Sequence, residues 1–88
     1  MNDKDLKYIM MVAEEGSLSK AAARLGRNTS SVSRSVKRVE ESLDIQLFRR
    51  TTVGLIPTPE GEAYIRMAYD IVKMYDALHE GVPSTLLL

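Results

Sequence analysis

Glycine interrupts the amino-terminal half of the chain at Gly16 and again at Gly26, so no helix there can run much beyond about four turns. Before the first break, Leu6, Ile9, Met10 and Ala13 repeat at helical spacing, which predicts a short amphipathic helix started by Asn2 or Asp3. Between the breaks, Ser17 or Ser19 can cap a helix over 20–25 whose Ala22 and Ala23 let a neighbour approach closely. Past the second break, Asn28 opens a helix reaching about Leu43, with Val32, Val36, Val39 and Leu43 as its core stripe. The other side of that helix carries Ser30, Ser31, Ser33, Arg34, Lys37, Arg38 and Glu41. Three short helices in about forty residues, the last two joined by a tight turn, predict a helix-turn-helix.

The remainder reads differently. Residues 46–50 and 55–58 are short extended arms around turn material at 51–54, spaced for a hairpin. Thr58-Pro59-Glu60 then starts a helix: Thr as N-cap, Pro at the first helical position, Glu in the positive first turn. That helix is expected over 59–80, with Gly81 and Pro83 beyond it. Tyr64, Ala68, Ile71, Tyr75 and Leu78 step by four, three, four and three, an a/d seam widened by Ile65, Met67, Val72 and Met74. Three short helices cannot bury so much apolar circumference. One side of the helix is therefore expected on the core and the other against the same helix of a second subunit, making a homodimer. The expected layout is a helix-turn-helix unit with its hairpin over 1–58, a linker and dimerisation helix over 59–80, and an irregular tail over 81–88.

Composition excludes several functions. Eighty-eight residues make one modest domain. Without cysteine there is no disulfide scaffold, thiolate metal site or thiol nucleophile, and His79 stands alone, so no metal and no cofactor are expected. No histidine or lysine is placed to activate the serine cluster, so no catalytic residue is assigned. The longest apolar run, Ile9 to Ala13, is too short for a bilayer span or a signal segment; no membrane partner and a cytoplasmic location are expected. The four tyrosines lie at core or seam spacing, unlike a base-stacking platform for single strands. The formal net charge is zero, but its distribution is uneven. Residues 20–50 hold eight cations against three anions, a net of +5, and the rest hold four against nine, a net of −5. A basic middle third between acidic ends can orient the molecule on an anionic partner, although charge alone leaves an ordinary solvated surface open.

Four blocks, taken in order, resemble one family. They are Val12-Ala13-Glu14-Glu15-Gly16-Ser17-Leu18-Ser19-Lys20-Ala21-Ala22-Ala23-Arg24-Leu25, Val32-Ser33-Arg34-Ser35-Val36-Lys37-Arg38-Val39-Glu40, Leu47-Phe48-Arg49-Arg50 and Thr58-Pro59-Glu60-Gly61. Over about residues 3–80 the chain is similar to the N-terminal DNA-binding domain of LysR-type transcriptional regulators. The resemblance implies a mainly α fold, a winged helix-turn-helix of three helices plus a β-hairpin wing followed by a long linker helix through which subunits dimerise. It implies double-stranded DNA as partner, the helix opening at Asn28 in the major groove, and a small-molecule effector only for a further C-terminal domain absent from these 88 residues.

The expected DNA-binding residues are Thr29, Ser30, Ser31, Ser33, Arg34, Lys37, Arg38 and Arg50. Hydroxyls at a helix start bond phosphates or base edges, and Arg34 can reach guanine O6 and N7 bidentately. Lys37 and Arg38 are expected at phosphates, and Arg49 or Arg50 at the backbone or minor groove. The chain departs from the family where Thr29-Ser30-Ser31 replaces Gln-Pro-Ala, Val53 a wing arginine and Asp44 a glycine. A winged-helix module whose basic stripe docks an acidic protein shares the fold and is the rival reading.

Overall fold

The computed structural model describes residues 2–81. Its elements are α1 (Asp3–Glu15), α2 (Leu18–Leu25), α3 (Thr29–Leu43), β1 (Phe48–Thr51), β2 (Gly54–Pro57) and α4 (Pro59–Glu80). Each helix is capped by its own sequence. The side chains of Asn2, Ser17, Asn28 and Thr58 accept from the backbone N–H groups of Asp5, Lys20, Ser31 and Gly61, satisfying donors that a helix start leaves unpaired. α1 and α2 stop at Gly16 and Gly26, and α3 stops at Asp44, whose φ of 52° and ψ of 45° place it in the left-handed region that aspartate tolerates.

Helix α2 begins two residues earlier than the sequence spacing predicts, because Ser17 takes the cap and Leu18 joins the first turn. The hairpin is shifted too. Thr51 pairs with Gly54, so only Thr52 and Val53 form the turn, and the register is Phe48 with Pro57 through Thr51 with Gly54. Residues 46 and 47 are drawn into the start of α4 instead. The Thr58 hydroxyl donates to the Gln46 carbonyl, the Thr58 N–H donates to the Leu47 carbonyl at 3.0 Å, and Leu47 N–H donates to Glu40 Oε2 at 2.8 Å.

The core lies where α1, α2 and α3 meet the base of the hairpin and the start of α4. Ile9, Val12, Ala21, Val32, Val39 and Leu47 are completely buried there. Two edges of the expected stripes move. On α1 the buried row is Asp5, Leu6, Tyr8, Ile9 and Val12, with Met10 and Ala13 only partly covered, and on α3 Leu43 is exposed beyond the end of the packed stripe. Gly61 sits directly against Leu47: a Cβ at Gly61 would lie 2.0 Å from the Leu47 carbonyl oxygen. That close approach lets α4 leave the hairpin at the observed angle.

Helix α4 buries only Gly61, Tyr64 and Ala68, all in its first half. The seam therefore divides. Tyr64 and Ala68, expected to face a second subunit, face this chain's own core. The reason is geometric: one turn past the Leu47 contact, α4 still lies on α1, and it then runs past the domain. Ile71, Tyr75 and Leu78 stay exposed with Met67 and Met74. Positions 82–88, including the Leu86-Leu87-Leu88 end of the expected tail, fall outside the described residues.

Candidate nucleic-acid interface

Opposite the Val32, Val36 and Val39 stripe, α3 presents Ser30, Arg34, Lys37 and Glu41 to solvent at spacings of four, three and four. This is one continuous polar row, two of its four members cationic. The helix start is preorganised by its cap. Asn28 Oδ1 accepts from Ser31 N–H at 2.8 Å and from the Ser30 hydroxyl at 3.1 Å, so Ser30 is held over the first turn. Thr29 is exposed beside it, and Ser31 and Ser33 are half-buried at the edges of the row.

The wing stands on one flank. Between it and α3 runs a groove of about 250 Å³ lined by Ser33, Lys37, Gln46 and Arg50 among others. A second cleft, about 400 Å³, brings the α2 cap Ser17, Ser19 of α2, Thr29 of α3 and Arg50 and Thr51 of the wing around one concavity. Two helix starts and an arginine converge there, the arrangement that accepts a phosphate chain. The wing is fixed to the helical body by its backbone. Leu55 N–H donates to the Gly16 carbonyl at 2.9 Å, and Gly54, at φ +119°, passes so close that a Cβ would lie 2.5 Å from that same oxygen. Val53 at the tip is 83% exposed, and Arg49 and Arg50 are exposed along β1.

Arg38, expected at a DNA phosphate, is engaged on the α1 flank. Its Nη2 donates to Asp5 Oδ1 at 2.9 Å, its Nε to Asp5 Oδ2 at 3.4 Å, and Nη2 also reaches the Ser35 hydroxyl at 3.3 Å. Asp5 is 1% exposed and Ser35 fully buried. Burial pushes the Asp5 carboxyl up, but hydrogen bonds from Arg38 and Ser35, the Arg38 charge and an Asn2 contact outweigh it, leaving the group below its ordinary value. Burial, with the Asp5 charge adding to it, pushes the Tyr64 phenol up to about 12. Nothing in the sequence motifs singles out this cluster. Its one signal is that Asp5, four residues before Ile9 and seven before Val12, lies on the buried face of α1, where an acid requires a partner.

The other ionic contacts tie helices together away from the α3 row. Arg24 Nη1 meets Glu15 at 2.9 Å and Glu14 at 3.3 Å, and the Tyr69 hydroxyl donates to Glu14 at 2.9 Å, linking α4 to the end of α1. His79 packs edge-on against Tyr75 within α4. Among the described residues, no three His, Cys, Asp or Glu side chains are grouped to hold a metal ion, and no helix is long and apolar enough to cross a membrane.

A helix-turn-helix whose second helix exposes a cationic, hydroxyl-bearing row, flanked by a β-hairpin rooted in the same core, defines a winged helix-turn-helix DNA-binding domain. Sequence comparison agrees: the family described as bacterial regulatory helix-turn-helix protein, lysR family, matches residues 4–62. The chain is 44% identical over 72 residues to the HTH-type transcriptional regulator CrgA of Neisseria meningitidis, covering 82% of this chain and 24% of CrgA. It is 40% identical over 76 residues to the HTH-type transcriptional regulator YofA of Bacillus subtilis, covering 86% of this chain and 27% of YofA. Among solved structures, the complex of the BenM DNA-binding domain with catB site 1 DNA superposes with a TM-score of 0.87 at 32% identity, over 91% of this chain and 89% of that one. The CbnR DNA-binding domain–DNA complex gives 0.86 at 29% identity, over 91% and 92%. This chain belongs to the LysR family and is a LysR-type helix-turn-helix DNA-binding domain. Its relatives CrgA and YofA are HTH-type transcriptional regulators, and it spans about a quarter of their length.

Proposed function

We propose that the chain binds double-stranded DNA sequence-specifically, as a two-fold dimer, and serves as the DNA-reading part of a longer transcriptional regulator. The observation that carries this reading is the exposed Ser30–Arg34–Lys37 row beside the wing, on a helix whose opposite face is buried. Helix α3 lies in the major groove, with Arg34 at base edges and Lys37 at a phosphate. Thr29, Ser30, Ser31 and Ser33 bond the backbone or base edges near the helix start, and Arg50 meets the strand beside the wing. The BenM and CbnR domains, similar in fold, were solved on DNA, which supports the same docking here.

Two copies pair through the free part of α4, where Ile71, Tyr75 and Leu78 are 46%, 44% and 64% exposed. A two-fold pair places two α3 helices one helical turn or a multiple apart, so the target is an interrupted palindrome. The regulator acts in the cytoplasm, and its effector belongs to a domain outside these residues. Selection of bound duplexes from a randomised library, at low and moderate salt, tests the reading. Enrichment of an interrupted palindrome, with retention falling steeply as salt rises, is the expected result. Failure to retain any duplex at low salt refutes it.

A further inference from the structure

From the buried contact between α1 and α3, we infer that Asp5 is a positioning residue for DNA binding: it holds the Arg38 guanidinium side-on so that its outer nitrogen meets a backbone phosphate on the α1 flank of the major groove. This inference rests on the DNA-binding reading above and adds to it a residue that itself touches no DNA.

The geometry separates the two edges of Arg38. Nε and Nη2 face inward to Asp5 and Ser35, while the side chain remains 51% exposed and Nη1 makes no hydrogen bond among the described residues. Arg38 stands one residue past Lys37 and four past Arg34, on the shoulder of the polar row nearest α1. A free arginine carries rotamer entropy, which a phosphate contact would otherwise have to overcome. Here the fork is already ordered before DNA arrives, so binding spends less on ordering it. Burying a carboxylate is itself unfavourable, and a well-packed apolar pair often stabilises more than an ion pair does. A purely structural clip between α1 and α3 has no need of a half-exposed guanidinium. A preset donor does.

The pair is neutral overall, and this makes the inference testable apart from net charge. Asp5→Asn adds one positive charge to the protein, so simple electrostatics makes DNA binding tighter. Release of Arg38 makes it weaker. The double variant Asp5→Asn/Arg38→Gln has the charge of the native chain and leaves no ion buried alone. Binding is read by fluorescence anisotropy on the library-selected duplex, or on mixed-sequence duplex at low salt, at a temperature where circular dichroism shows each variant folded.

The expected result is that Asp5→Asn and the double variant each bind about fivefold or more weakly than the native protein. Equal or tighter binding by Asp5→Asn overturns the positioning role. Native-like binding by the double variant shows that Arg38 makes no contact and overturns it as well. Should Asp5→Asn fail to fold, Arg38→Lys carries the test. It retains charge and Asp5 but loses the fork, so about a fivefold loss supports the inference and unchanged binding overturns it. A native protein that retains no duplex at all is a different outcome, and refutes DNA binding itself.

Discussion

Replacing Gly61 by alanine tests whether the exit of α4 from the hairpin is set by backbone contact. The added Cβ would lie 2.0 Å from the Leu47 carbonyl oxygen and 2.8 Å from its carbon, where ordinary contact begins near 3.4 Å. Relief requires roughly 1.4 Å of separation, the difference between those distances, and both partners are backbone. Leu47 is itself fully buried, its N–H is held by Glu40 and its carbonyl accepts from Thr58 N–H, so neither side yields freely. Overpacking of this kind costs about 1–3 kcal/mol. Weakening the Thr58–Leu47 hydrogen bond adds about 1 kcal/mol. The gain in helix propensity from Gly to Ala, at most about 1 kcal/mol and less in a first turn, works against both. The net is a loss of about 1–4 kcal/mol, or about 4 °C or more in Tm for a domain of this size. Thermal unfolding followed by far-UV circular dichroism measures it. A Tm unchanged within about 2 °C, or raised, would mean that propensity outweighs the contact and that α4 does not pack on Leu47 as described.

The remaining predictions concern the site and the assembly. Gly54→Ala meets both a φ of +119° and a Cβ position 2.5 Å from the Gly16 carbonyl, so the Leu55–Gly16 bond should break and DNA affinity should fall more than Tm does. Comparable losses in the two would place the wing outside the interface. The Asp5 carboxyl sits below its ordinary value, so its contribution to stability is full above about pH 3.9 and fades as the pH drops through the folded-state value. Urea titrations at stepped pH should show this acid limb flattened in Asp5→Asn; identical limbs refute the linkage. Arg34→Ala should cost about 1–3 kcal/mol of binding and relax preference at one base position per half-site, whereas Lys37→Ala should weaken all sequences alike and lower the salt slope by about one unit. Library selection on both variants decides this, and a changed sequence preference in Lys37→Ala would reverse the roles. Ile71→Asp places a charge among exposed apolar side chains of α4 and should give monomers by light scattering with the fold intact. Persisting dimers would put the subunit contact elsewhere.

Local signals in the chain were enough for the order and type of the elements and for most of the α3 row, but not for the start of α2 or the register of the hairpin. Caps and breaks such as Asn28, Gly16, Gly26 and the Thr58-Pro59 start act within a few residues, so their effect is legible without knowing the fold. The spacing of Val32, Val36 and Val39 likewise dictates that Ser30, Arg34 and Lys37 face outward, because helical geometry alone relates the two faces. What those signals do not carry is the relation between elements. Whether Tyr64 and Ala68 meet this chain or a second copy depends on where α4 leaves the core, and that is set by Gly61 against Leu47, fourteen residues away. Likewise Arg38 looks like any other cation on α3 until the packing of α1 brings Asp5, 33 residues earlier, beneath its guanidinium. Periodicity determines which face of an element is buried. Only tertiary packing decides what it is buried against, because contacts between distant residues arise from the docking of whole elements.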